Sequence, residues 1–247
     1  MTKIINVKGR QVFDSRGNPT VEAEIFSDHD ISASAISPSG ASTGAYEAHE
    51  LRDKDQNFFL GKSVKKAIEN INTKINSSLQ GLDPIDQSKI DQELINLDGS
   101  ENKKNLGANA TLAVSLANSK LAALIVKKPL YKSLGKSFSL PIPLMNIING
   151  GAHADNDLNI QEFMIRPDSA SSFMDAIEKC FLVIQNLKTL LRSKKMLTNV
   201  GDEGGFAPSI NSNEEALDLI VQAIEKSKLK PGNDIVICLD VAANELI

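Results

Sequence analysis

The stretch "KSFSLPIPL" (136–144) divides the chain into two patterns of apolar spacing, and no one layer of secondary structure satisfies both. Before it come alternating runs and then helical stripes. After it, short apolar runs alternate with amphipathic helices. Its prolines and serines read as a linker, which predicts a domain boundary near 139. Residues 1–139 then form an α+β domain, and 140–247 a second domain of α/β type.

In the first part, "TVEAEIF" (20–26) alternates Val21, Ala23 and Ile25 with Glu22 and Glu24, the pattern of a half-buried strand. "DSRGNP" (14–19) and "SDHD" (27–30) supply turns on either side, so residues 3–37 predict a three-stranded antiparallel meander. Helices follow over 63–81, 86–97 and 109–128. The first carries Val64, Ala67, Ile68, Ile71, Ile75 and Leu79 on one stripe.

In the second part, strand-like runs occur at 144–148, 163–165, about 197–200 and 235–239. Helices are predicted over 171–194 and 213–227. The first would turn Phe173, Ile177, Cys180, Ile184, Leu187 and Leu191 inward, and the second opens on the capping pair Ser212 and Glu215. Buried strands alternating with helices predict a parallel sheet. Too few residues separate the first two strands for a helix, which permits the second to run antiparallel.

Reactive residues adjoin these runs. His153 follows the first, Gln161 and Glu162 precede the second, Asp202 and Glu203 follow the third, and Asp240 ends the fourth. Ligands of parallel α/β folds bind at the carboxyl ends of strands. His153, Glu203 and Asp240 obey that rule, and Glu162 obeys it if its strand is reversed. Plainer readings stand beside this one. A loop histidine is usually solvated, Asp-Glu between glycines is usually a polar turn, and Asp240 could cap a following helix.

Composition narrows the classes. The chain has 247 residues, 41% hydrophobic and 23% charged, with a net charge of −4. That balance argues against a nucleic-acid surface. The longest apolar run, "LAALIV" (121–126), is too short to span a bilayer, and the N-terminus carries no apolar stretch of signal-peptide length. Cys180 and Cys238 sit among apolar residues and read as buried thiols in a reducing, cytoplasmic compartment. "LGKS" at 60–63 and 134–137 lacks the first glycine of a phosphate loop. "DNDLN" (155–159) lacks the glycine and glutamate of a calcium loop.

The blocks "DSRGNPTVE" (14–22), "PSGASTGAYEA" (38–48), "LDGSENKKNLGANATLAVSLA" (97–117), "MNIINGGAHADN" (145–156), "QEFMI" (161–165), "VGDEGGFAP" (200–208) and "LDVAANE" (239–245) resemble the successive signatures of the enolase family, in order and across essentially the whole chain. The resemblance implies a small α+β domain followed by a TIM-type barrel that begins β-β-α-α. It implies interconversion of 2-phosphoglycerate and phosphoenolpyruvate with two Mg²⁺. By the same resemblance Glu203 is the general acid, Glu162 the carboxylate that assists it, and Gln161 a substrate contact. His153 sits on a loop that closes over substrate, Asp240 is a ligand of the tighter metal, and Ser42 is a ligand of the second. Crowding by Asp202, and by Glu162 if near, would raise the pKa of Glu203.

An eight-stranded barrel takes about 250 residues, so 140–247 is expected to hold about half of one, without the lysine base that the family uses. The expectation is a fragment, or a truncated product needing a complement, that is inactive alone. The alternative is a non-catalytic binding, surface or assembly protein. Family members usually form homodimers, and they also appear at the cell surface or outside the cell.

Overall fold

The computed structural model describes residues 2–40, 43–201 and 203–246, apart from the side chain of Glu245. It divides into two compact units. One holds 1–40 and 45–138, and the other holds 41–44 and 139–247.

In the first unit, β1 (Ile4–Phe13), β2 (Pro19–Ser27) and β3 (Ser32–Ile36) form the antiparallel meander in the order β1-β2-β3. Val21, Ala23 and Ile25 are fully buried, as their alternation requires. Against them pack Ala110, Ala113, Val114, Ala117 and Leu121. The predicted helix 63–81 is resolved into α1 (Lys65–Asn70), a π-turn (Ile71–Ile75) and α2 (Asn76–Leu79). Its Asn72 and Asn76 face the free edge of β1: each amide oxygen accepts a strand N–H, from Gly9 and Val7, at 2.7 Å. The helix thereby satisfies edge donors that the meander leaves over.

α3 (Gln87–Asp98) and α4 (Ala108–Ile125) follow. The alternation and stripe rules gave no sign of α5 (Leu130–Leu134), whose side chains are not buried.

In the second unit, β4 (Met145–Asn149), β5 (Glu162–Arg166) and β6 (Val236–Asp240) form one sheet in the order β4-β5-β6. Both pairings are antiparallel. β5 is thus the reversed strand, and the two similarly directed strands are not neighbours, which corrects the expected parallel sheet. Residues 197–200 form no strand either. Val200 and Phe206 make single bridges, the latter to Ile148 alongside β4. Three strands, not four, stand among the described residues of this unit, and no barrel closes among them.

The two helices between β5 and β6 are α6 (Phe173–Ser193) and α7 (Asn213–Lys226). The Ser212 hydroxyl accepts from the Glu215 N–H at 3.1 Å, as its spacing predicts. Ser172 caps α6 in the same way through the Asp175 N–H. The inward face of α6 is rotated from expectation. Ala176, Val183 and Leu190 are buried, while Phe173 is 40% exposed at the first turn. Cys180, Leu187 and Leu191 are buried as expected. No helix is long and apolar enough to cross a membrane.

Candidate functional site

One rung of the second sheet aligns three positions of interest. Asn149 at the end of β4 pairs with Glu162 at the start of β5, which pairs with Asp240 at the end of β6. A bulge between Asn146 and Ile148 shifts the β4–β5 register, and Ile147 and Ile148 are then both buried. The rung opens on a cavity of about 220 Å³ lined by Thr43, Gly44, Gln161, Asp240, Ala242, Ala243 and Asn244.

The chain leaves β4 through the short turn Gly151–His153. The Gly150 N–H donates to Gln161 O at 2.9 Å, and the Gly151 N–H to Leu158 O at 2.8 Å. These bonds fold 150–161 back onto itself and carry His153 inward, where its side chain is 2% exposed. Nδ1 lies 3.4 Å from Glu203 Oε2 and 3.8 Å from Glu162 Oε1. Neither ring nitrogen has a hydrogen-bond partner among the described residues, and neither does Gln161 Oε1. Buried polar atoms of this kind are normally satisfied. Gln161 is also among the residues that line the cavity.

Glu203 arrives from a different segment. Gly201 N–H donates to Gly205 O at 2.8 Å, closing a tight turn whose Gly204 has φ +86°. A Cβ on Gly201 would stand 2.1 Å from Asn149 Nδ2, so only glycine permits this approach. The glycines that surround the acidic pair therefore let the backbone settle against β4. Their other effect is to leave Glu203 on a projecting tip, 42% exposed at its side chain.

The two glutamates meet. A hydrogen bond with Glu203, then burial, then the charges of Glu203 and Asp240 push the Glu162 carboxyl up to about 7. Two carboxyl groups can bond only if a proton lies between them. Glu162 is the carboxyl raised by this crowding. Asp202, expected to add to it, lies outside the described residues.

His153, Glu162 and Glu203 each offer a donor atom, all within 4.8 Å of one another, a set able to hold a cation. Asp240 and Gln161 offer oxygens to the adjoining cavity, and hard oxygen donors suit Mg²⁺. Asp240 also accepts from the Ala242 N–H at 3.0 Å, a turn bond made before the 3-10 turn Ala243–Leu246 rather than a cap of it. Ser42 lies outside the described residues, although its neighbours Thr43 and Gly44 line the cavity.

Five of the six expected site residues are thus brought to one end of one sheet. What the sequence reading missed is the asparagine support. Asn146 Nδ2 donates to Asn149 Oδ1, and Asn156 Nδ2 donates to Asn149 O at 3.0 Å and Pro208 O at 3.1 Å. The signal available was three asparagines crowding the Gly-Gly turn.

Comparison with known proteins gives a concordant result. Residues 4–134 match the family described as "Enolase, N-terminal domain", and residues 137–247 match "Enolase, C-terminal TIM barrel domain". A protein of Pelagibacter ubique (strain HTCC1062) named "Enolase" is 60% identical over 249 residues. That alignment covers 100% of this chain and 59% of the relative.

Proposed function

The chain belongs to the enolase family, and from that premise we propose that its site serves the reversible dehydration of 2-phosphoglycerate to phosphoenolpyruvate. The observation that carries the reading is the meeting of His153, Glu162 and Glu203, with Glu162 paired across the sheet to Asp240, which lines the cavity together with Gln161.

In this reading Glu203 gives a proton to the departing hydroxyl, because hydroxide leaves poorly without one. Glu162, whose carboxyl holds its proton up to about pH 7, supplies the proton next in line. The imidazole of His153 closes over the substrate, and the Gln161 amide orients it. Asp240 would hold a Mg²⁺ ion, with Ser42 serving a second. When bound, such ions supply positive charge for an enolate-like intermediate. No lysine lines the described cavity. We therefore read residues 1–247 as able to bind the substrate and donate the proton, with turnover requiring a base from elsewhere. A cytoplasmic location and a homodimeric partner belong to the same proposal.

Two assays test it. Mg²⁺-dependent binding of phosphoenolpyruvate to residues 1–247, followed by the phosphorus resonance, is expected and should vanish in Asp240→Asn. Replacing the aligned acid by glutamine in the Pelagibacter enzyme should slow dehydration by about 10²–10⁴-fold. Full activity there would remove Glu203 from the role of acid.

A further inference from the structure

We propose that Asn149 is a positioning residue whose buried amide seats the 201–205 turn, so that Glu203 is held against His153 and Glu162. The inference rests on the reading of Glu203 given above. Asn149 is 0% exposed. Its Nδ2 donates to Gly205 O at 3.2 Å, and its Oδ1 accepts from Asn146 Nδ2. Its backbone N–H donates to Phe206 O at 2.8 Å, and its backbone oxygen accepts from Asn156. The amide thus lies in the hollow of the turn, with Gly205 O bonded on one side. Gly201 stands so near the other side that a Cβ there would collide at 2.1 Å.

Glu203 is 42% exposed at its side chain, and its carboxyl meets His153 and Glu162. Its approach to them follows the placing of the turn that carries it, and the Asn149 amide lies beneath that turn. An apolar side chain of similar size would leave Gly205 O with the Gly201 N–H alone and remove the bond that ties the turn to β4. Asn149 is not among the residues that line the cavity, which separates positioning from contact with substrate.

The test uses residues 1–247 with labelled histidine. The chain has 3 histidines, so the His153 ring resonances can be assigned beside those of His29 and His49. At one pH, Glu203→Gln gives the displacement caused by changing the neighbour of Nδ1. Asn149→Asp keeps the shape and removes the donor. Gly205→Ala, whose Cβ would stand 2.9 Å from Asn149 Oδ1, presses on the amide without adding charge and without touching His153. Both are expected to move the His153 resonances in the same direction as Glu203→Gln, leaving His29, His49 and the α6–α7 methyl signals in place. Loss of stability with His153 unmoved in Gly205→Ala would mean a merely structural asparagine, and would overturn the proposal. A shift in Asn149→Asp alone would report its new charge and do the same. If Glu203→Gln itself leaves His153 unmoved, the reading of the site fails first, and this inference with it.

Discussion

Nδ1 of His153 stands 3.4 Å from Oε2 of Glu203, across a contact buried at the imidazole and open to solvent at the glutamate. The fold-back of 150–161 carries the imidazole inward, whereas the carboxylate rides on a glycine turn. One partner is sheltered and the other reaches solvent. That division suits a group that must deliver a proton to a ligand that comes and goes.

The pH dependence of stability should show the raised carboxyl. Glu162 titrates at about 7 in the folded chain, against ~4.3 for a free glutamate. Folding therefore takes up a proton between those values. The stability contributed by this group is complete below about pH 4 and is lost as pH rises through 7. Glu162→Gln copies the protonated form. It should melt with the parent chain near pH 4 and above it near pH 8, in metal-free buffer. Equal differences at both pH values would contradict the raised pKa.

Removing the Asp240 carboxylate should weaken the binding of Mg²⁺. A hard cation loses its charged ligand and gains a neutral amide oxygen. Calorimetric titration of Asp240→Asn is expected to show at least a tenfold loss of affinity, with the melting temperature in chelator nearly unchanged. Unaltered affinity would place the ion elsewhere.

The asparagine pair that covers the β1 edge should matter to stability. Asn72→Ala and Asn76→Ala each strand a half-buried N–H of β1, Gly9 in one case and Val7 in the other. Each is expected to cost about 1–3 kcal/mol, read from denaturant midpoints at constant slope. Amide exchange should rise at Gly9 in the first variant and at Val7 in the second.

The helix caps make a smaller prediction. Ser172→Ala and Ser212→Ala each remove a hydroxyl that accepts the N–H of the third helical residue, Asp175 or Glu215. Each should cost about 1 kcal/mol, while the glycine substitutions should cost only a few tenths. Urea unfolding of the four variants checks the order.

Much of this was legible beforehand because local rules sufficed. Alternation in 20–26 placed β2 with Val21, Ala23 and Ile25 inward, and the Ser212–Glu215 spacing placed the start of α7. The site was legible by resemblance, through "QEFMI" and "VGDEGGFAP", rather than by periodicity. What escaped depended on tertiary partners. Residues 197–200 have the apolar look of a strand, yet Val200 bridges only Phe206 within its own loop. Phe173 fits the stripe of α6, but at the first turn it is left 40% exposed. The amide of Asn149 left only the crowding of asparagines around the Gly-Gly turn as a sign, because the carbonyl it donates to belongs to a glycine far along the chain.

The reversed direction of β5 has a cost in tolerance. Glu162 enters its strand where Asn149 and Asp240 leave theirs, so a slide of that middle strand by one position would turn the carboxyl to the opposite surface of the sheet and bring Gln161 or Phe163 opposite Asp240. Insertions in the 150–161 excursion should therefore be survivable as shape and ruinous as chemistry whenever they disturb that alignment.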